Sequence, residues 1–114
     1  MAAVANLTID QGASFSSSVT VKDASGDPFD LTGFTADAKM ALGYTSTRTR
    51  TTITTTFDAD RTTGIINLSL TAAQTAALDA PARYVYDIEI TYTADSTVTR
   101  VIEGIITVRP NVTT

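Results

Sequence analysis

The sequence predicts an all-β fold, an antiparallel immunoglobulin-like β-sandwich of about seven strands with one short helix. The chain is rich in Thr, Val, Ile and Tyr, whose branched or flat side chains suit a pleated sheet. Apolar residues alternate with a period of two in several short segments, and turn-forming residues separate these segments. The 114 residues match one small domain, so we expect a single β-sandwich domain over residues 1–114 with extended termini.

The most regular alternation predicts a strand over Arg83–Thr93, with an apolar face opposite Arg83, Asp87 and Glu89. The next segment, Val98–Val108, predicts a second strand, joined to the first by a hairpin at Ala94–Ser96. The apolar residues that we expect to share a face are Tyr84, Tyr86, Ile88, Ile90 and Tyr92 in the first strand and Val98, Ile102, Ile106 and Val108 in the second.

The remaining strands are shorter and are predicted by the same alternation. Their apolar sets are Phe15, Val19 and Val21, then Phe34, Ala36, Ala38 and Met40, then Ile53, Thr55 and Phe57, and then Ile66, Leu68 and Leu70, with a weaker segment over Ala5–Asp10. The Thr-rich stretch Thr45–Thr56 contains Arg48 and Arg50, which favours an exposed loop or an edge strand.

One segment departs from the strand pattern. Residues Thr71–Leu78 are rich in Ala and begin with Thr-x-x-Gln, the pattern of a helix capping box. The segment therefore predicts two turns of helix. Because so short a helix is marginal alone, Leu78 and Ala77 are expected to pack on the core.

Composition excludes several function classes. The chain has no Cys and no His, which excludes thiolate and imidazole metal sites, Cys nucleophiles and the Ser-His-Asp relay. Twelve acidic against eight basic residues give a net charge of -4, which disfavours nucleic acid as a ligand. We expect no enzymatic activity, no cofactor, no metal, and neither a membrane span nor a secretory signal.

Acidic residues cluster in two segments that predict turns. Asp23, Asp27 and Asp30 form an oxygen-rich group that would suit a hard cation, but their spacing does not match an EF-hand. Asp is also a common turn former, so we interpret this group, and Asp58 with Asp60, as turns.

Two further groups have a structural explanation. Asp87 and Glu89 resemble a pair of catalytic carboxylates, but a half-exposed strand needs such a polar face, and Arg83, Arg100 and Arg109 are expected to pair with acidic residues across the hairpin. The tyrosines of the same strand would serve a carbohydrate-binding module only if they were exposed and coplanar.

Three segments resemble a known family. They are DLTGFTA at Asp30–Ala36, GIINLSLTAAQTAAL at Gly64–Leu78 and RYVYDIEI at Arg83–Ile90. Together with the order of elements from Asn6 to Thr113, they resemble small virion structural proteins of tailed bacteriophages, in particular the β-sandwich N-terminal domain of phage baseplate upper proteins.

The resemblance implies a non-enzymatic virion structural protein, a baseplate or tail accessory or adaptor protein that binds other virion proteins. It implies a homo-oligomer or a multi-copy symmetric assembly, made in the host cytoplasm. A capsid cement or decoration protein is the alternative within this class, and a carbohydrate-binding module is the alternative outside it. The predicted partner-binding residues lie at the termini, where strand addition is possible: Met1, Ala2, Ala3, Val4, Asn111, Val112, Thr113 and Thr114.

Overall fold

The computed structural model describes residues 3–43 and 50–112, and this part of the chain forms eight strands and one α-helix. The strands are β1 (Ala3–Val4), β2 (Leu7–Asp10), β3 (Phe15–Thr20), β4 (Phe34–Ala41), β5 (Thr51–Phe57), β6 (Ile65–Leu70), β7 (Ala82–Tyr92) and β8 (Thr97–Arg109). The helix α1 (Ala72–Ala76) lies between β6 and β7, and a 3₁₀ turn (Arg61–Thr63) precedes β6.

The strands hydrogen bond in the order β1-β8-β7-β4-β5-β6-β3, with β2 following β1 along the same edge of β8. Strand β5 belongs to both layers of the sandwich, because Thr51–Ile53 pairs with β4 and Thr54–Phe57 pairs with β6. We call β1, β2, β8, β7 and β4 the first sheet. The second sheet consists of Thr54–Phe57, β6 and β3. The predicted all-β sandwich with one short helix is confirmed.

Most of the pairing is antiparallel, but the N-terminal strands are not. Strands β1 and β2 run parallel to β8, with Ala3 opposite Ile102 and Leu7 opposite Ile106. The alternation that predicts strands does not report their direction, so the sequence could not distinguish this arrangement from an antiparallel edge.

The core lies between the two sheets and is built from the predicted alternating sets. Val19 of the second sheet and Tyr84, Ile88 and Ile90 of the first are all buried there. The side chains with less than 2% exposure include Ile9, Leu31, Met40, Ile53, Ile66, Leu68, Ile88, Ile90, Ile106 and Val108.

The helix begins as predicted, with a capping box. The Thr71 side chain accepts a hydrogen bond from the Gln74 amide, and the Gln74 side chain accepts one from the Thr71 amide. Leu78 is buried as expected, whereas Ala77 is exposed. The helix is instead anchored by buried Thr75, whose hydroxyl donates to the Ala13 carbonyl at 2.8 Å and accepts from the Gly12 amide at 3.0 Å.

The predicted face of Val98 is wrong. A β-bulge between β7 and β8 pairs Ile88 with Ile102 but Glu89 with Arg100, so one residue of β8 is extra. The bulge reverses the alternation, and Val98 is therefore 56% exposed while Val101 packs against the core.

The second half of the Thr-rich stretch is the strand β5 rather than a loop. Thr51–Ile53 pairs with β4 and Thr54–Phe57 pairs with β6, so each half has one strand neighbour. Thr45–Thr49 lies outside the described residues. The alternation of Ile53, Thr55 and Phe57 indicated the strand, but it does not reveal that the strand changes partners.

Candidate interaction surfaces

The predicted N-terminal contact residues lie in the sheet. Ala3 and Val4 form β1, so this part of the N-terminal segment does not extend beyond the outer strands as expected. Val4 nevertheless presents its side chain at 72% exposure. Of the other predicted partner-binding residues, Asn111 and Val112 are exposed, Val112 at 98%. Met1, Ala2, Thr113 and Thr114 lie outside the described residues.

Ala5 and Asn6, between β1 and β2, are held tightly against β8. The Ala5 amide donates to the Glu103 carbonyl at 2.9 Å, and the Ile105 amide donates to the Asn6 side chain at 3.0 Å. The Ala5 carbonyl accepts a hydrogen bond of 2.5 Å from the hydroxyl of Tyr86. These hydrogen bonds hold the N-terminal segment against β8 between β1 and β2, where regular strand pairing is interrupted, and so close the edge of the first sheet.

Gly104 makes this close approach possible. A Cβ at position 104 would collide with the carbonyl of Ala5. Gly104 is opposite Tyr86 in the register, so the Ala5 carbonyl reaches the Tyr86 hydroxyl over a residue without a side chain. Burial raises the pKa of Tyr86 to about 12.

The outer face of the first sheet is charged. Asp37 is directly opposite Glu89, and Asp87 is directly opposite Glu103, so two pairs of carboxylates face each other across strands. Arg100 offsets part of this repulsion, with its Nε 3.3 Å from the Asp87 carboxylate. The predicted cross-hairpin pairing is thus found for Arg100. A depression of about 270 Å³ lies on this face; its lining includes Asp37, Lys39, Arg50, Asp87, Glu89 and Arg100.

Arg109 has a different partner from the one expected. Its Nε lies 2.8 Å from the carboxylate of Asp10, on the neighbouring parallel strand β2. This contact lowers the pKa of Asp10 through the hydrogen bond from Arg109. The pair lies at the end of β2, where it closes the edge of the first sheet.

Exposed apolar side chains lie beside these charges on β1 and β8. Val4 is opposite Glu103, and Ile105, which is 40% exposed, is opposite half-buried Val85. Val98 is also exposed, but it lies near the start of β8, seven residues along the strand from Ile105. We call Val4 and Ile105 the apolar patch of the first sheet. Its polar surroundings are typical of the rim of a protein interface.

The outer face of the second sheet consists almost entirely of hydroxyl and amide side chains. Two rows cross its three strands, and one further row lies at its end. The rows are Thr54, Ser69 and Ser16, then Thr56, Asn67 and Ser18, and then Ile65 with Thr20. Strands β3, β5 and β6 contain no charged residue. The absence of charge is visible in the sequence, but its confinement to one sheet is not.

The aspartates of the predicted turns have local structural roles. The Asp23 carboxylate accepts from the amides of Ser25 at 2.9 Å and Asp27 at 3.0 Å. Asp60 caps the 3₁₀ turn by accepting from the Thr62 amide and hydroxyl, and these bonds lower its pKa. The turn interpretation is confirmed for these residues. Within residues 3–43 and 50–112, no group of three or more acidic side chains is arranged to hold a metal ion.

The tyrosines of β7 do not form a carbohydrate platform. Tyr84 is 6% exposed and Tyr86 is 2% exposed, so both belong to the core. Tyr92 is 40% exposed but packs against Phe34 with ring centroids 5.0 Å apart, and Phe34 in turn contacts Phe29. The condition that the carbohydrate alternative requires is therefore not met by these three tyrosines.

Comparison with protein families decides which proteins this sandwich is related to. The family model described as "LtfC-like, beta-sandwich domain" matches residues 1–109. The chain belongs to this family. LtfC is a phage tail-associated protein, so the chain is a phage-associated β-sandwich domain, in agreement with the resemblance to phage virion proteins. A comparison with curated proteins gave no match.

A solved structure supports the fold of this LtfC-like domain. A chicken TCR structure matches with a TM-score of 0.58 and 10% identity over 95% of this chain and 54% of the receptor chain. The domain thus spans about half the length of that receptor chain. The filamin domain of Lin-41 matches with a TM-score of 0.47 and 16% identity over 90% of this chain and 82% of that domain. No helix in the described part of the domain is long and apolar enough to cross a membrane.

Proposed function

We propose that this domain is a non-enzymatic structural component of a tailed-phage virion, a baseplate or tail accessory protein that acts as an adaptor. Its membership of the LtfC-like family supports a role in the phage particle. The observation that carries the adaptor role is the apolar patch of Val4 and Ile105, which lies on the outer face of the first sheet among charged side chains.

The composition of this surface suits a protein partner. Exposed valine and isoleucine side chains gain free energy when a partner removes them from water, at about 25 cal/mol per Å² of buried apolar area. Asp87, Glu103 and Arg100 surround them and would set the orientation of the partner by charge. Such a surface favours binding to another virion protein rather than catalysis.

The test is incorporation into virions. Val4→Asp and Ile105→Asp place a carboxylate in the patch, and we expect either change to lower the amount of the protein in purified particles at least about tenfold. Ala73→Asp, on the exposed surface of α1, is the matched control and should leave incorporation unchanged. Circular dichroism of each isolated variant checks that it folds.

Fractionation of the particles separates the two virion alternatives. Recovery of the protein with purified tails supports the baseplate or tail role, whereas recovery with heads would make it a capsid decoration protein. Normal incorporation of both patch variants would contradict the adaptor surface, and absence of the protein from virions would contradict the proposed function itself.

A further inference from the structure

Ile105 of the apolar patch belongs to a row of apolar side chains that crosses three strands of the first sheet. Ala41 is opposite Val85, and Val85 is opposite Ile105, so β4, β7 and β8 each contribute one residue. Ala41 is buried, Val85 is half-buried and Ile105 is 40% exposed. We call these three residues the apolar row. The side chains on its two sides decide what kind of partner can cover it.

The neighbouring row on one side is charged. It consists of Lys39, Asp87 and Glu103, which are opposite one another in β4, β7 and β8, and it ends at Val4 of β1. Arg100 is bonded to Asp87, with 3.3 Å between the guanidinium Nε and the carboxylate. Among the described residues, Glu103 has no such partner. Glu103 is therefore a carboxylate beside the apolar patch that a partner can still pair with.

The neighbouring row on the other side contains no carboxylate. Arg83 is opposite Thr107, Thr107 is opposite Thr8, and all three are exposed. The cross-hairpin ion pair predicted for Arg83 is not found among residues 3–43 and 50–112, because Thr107 occupies the opposite position. The next charges in this direction, Asp10 and Arg109, are bonded to each other. Arg83 is therefore a cation that a partner can still pair with.

The charge on this face thus changes sign across the apolar row. Arg50 lines the depression together with Ala41 and Val85, which adds a second positive charge near the row. On the side of Glu103, four carboxylates outnumber two cations; these residues are Asp37, Asp87, Glu89 and Glu103 with Lys39 and Arg100.

Glu103 and Arg83 lie on opposite sides of the cross-strand pair Val85 and Ile105. Each is two residues along its strand from this pair, and the two strands are antiparallel. With a rise of about 3.4 Å per residue and strands about 4.8 Å apart, the two positions are about 14 Å from each other. A single partner segment can span this distance.

We infer that the partner is a protein surface that places an apolar side chain on the apolar row, a basic side chain against Glu103 and an acidic side chain against Arg83. The inference rests on the proposed function and adds the chemistry and the orientation of the partner. Both unpaired charges gain an opposite charge in this orientation, whereas the reversed orientation brings like charges together. The order of the charges along the face, and not their sum, then selects the partner.

Competition for places in the virion tests the inference. Wild type and a variant are produced together in infected cells, and mass spectrometry measures their ratio in the lysate and in purified particles. Arg83→Glu with Glu103→Arg exchanges the two charges and leaves the net charge at -4. We expect this exchange to lower the ratio of variant to wild type in particles at least about tenfold relative to the lysate, because like charges then meet in the interface.

The matched control is Lys22→Asp with Asp27→Lys, an exchange of two exposed charges in the loop between β3 and β4. This variant should keep the same ratio in particles as in the lysate. Circular dichroism checks that both double variants fold.

Equal incorporation of the Arg83 and Glu103 exchange variant and the wild type would overturn the inference, and so would an equal loss for the control. The Ile105→Asp variant separates this failure from that of the proposed function. If Ile105→Asp is excluded from particles while the exchange variant is incorporated normally, the apolar patch remains an interface and only the inferred role of the charges is wrong.

Discussion

The two sheets share one core but differ in what they present to solvent. The first sheet carries opposed carboxylates, Asp37 with Glu89 and Asp87 with Glu103, and its edge is closed by an irregular N-terminal segment. The second sheet presents hydroxyl and amide groups and ends in the regular edge strand β3. Both sheets bury the same kind of apolar face, so the difference arises entirely from the outward-facing residues. Folding constrains the inner faces, and the outer faces are free to specify different contacts.

The largest expected effect comes from the shared core. Ile88→Ala removes a fully buried side chain of β7 and should lower the free energy of unfolding by about 2–5 kcal/mol, because it leaves a cavity. Glu89→Ala, one residue along on the outer face, should change it by less than about 1 kcal/mol. Chemical denaturation measures both values, and equal losses would mean that the two faces of β7 are assigned wrongly.

The closed edge of the first sheet depends on Gly104. Gly104→Ala forces the Ala5 carbonyl away from β8, and we expect a loss of about 1–3 kcal/mol in the free energy of unfolding, as for other overpacked sites. Gly26→Ala is the control, because a Cβ at position 26 would meet no other atom. Its only cost in stability is that of placing alanine at a positive φ of 86°. Amide exchange of Ala5 and Ile105 should increase in the Gly104 variant. An unchanged exchange rate at both positions would contradict the described closure.

The hydrogen bond from Tyr86 to Ala5 makes the stability of the closed edge depend on pH. Tyr86→Phe removes this bond and should lower the free energy of unfolding by about 1–2 kcal/mol near neutral pH. Because the folded-state pKa is about 12 and the ordinary value is 10.0, unfolding favours ionisation. The stabilisation that comes from the neutral hydroxyl is fully present below pH 10. It is lost as the pH rises from 10 to 12, which lowers the free energy of unfolding by about 2–3 kcal/mol.

The stability difference between wild type and the Tyr86→Phe variant should therefore shrink above pH 10. Denaturation curves of the two proteins at pH 8, 10 and 11 provide the measurement, and other alkaline titrations cancel in the difference. A difference that stays constant over this range would show that the Tyr86 hydroxyl is not buried in the folded protein.

The smallest effect concerns the opposed carboxylates. Asp37→Asn removes the charge opposite Glu89 and should raise the free energy of unfolding by less than about 1 kcal/mol, with a larger gain at low salt. Thr54→Asn, on the uncharged outer face of the second sheet, should show no dependence on salt. Equal salt dependence of the two variants would contradict the contrast in charge between the sheets.

The alternation of apolar residues predicted most of the core residues that the strands contribute. In β7 it placed Tyr84, Tyr86, Ile88 and Ile90 on the buried face, and the structure agrees. It failed at Val98, because a bulge inserts one residue and reverses the pattern without leaving a signal in composition. The capping box at Thr71 predicted the start of α1 because both hydrogen bonds join residues only three apart.

The surfaces were less predictable, because they depend on which strands become neighbours. Asp37 and Glu89 are directly opposite each other in the sheet but 52 positions apart in the sequence. That β3 lies at an edge follows only from the complete strand order. The N-terminal segment illustrates the same limit. This segment was expected to extend beyond the outer strands, whereas the contacts of Ala5 with Glu103 and Tyr86 hold it in the sheet.

The most direct test of the difference between the two sheets is amide hydrogen exchange, measured by NMR. In Phe15–Thr20, the amides that point away from β6 should exchange rapidly, whereas the amides of Ala5 and Ile105 should be protected by their hydrogen bonds. Slow exchange of every amide in Phe15–Thr20, or rapid exchange at both Ala5 and Ile105, would contradict this difference.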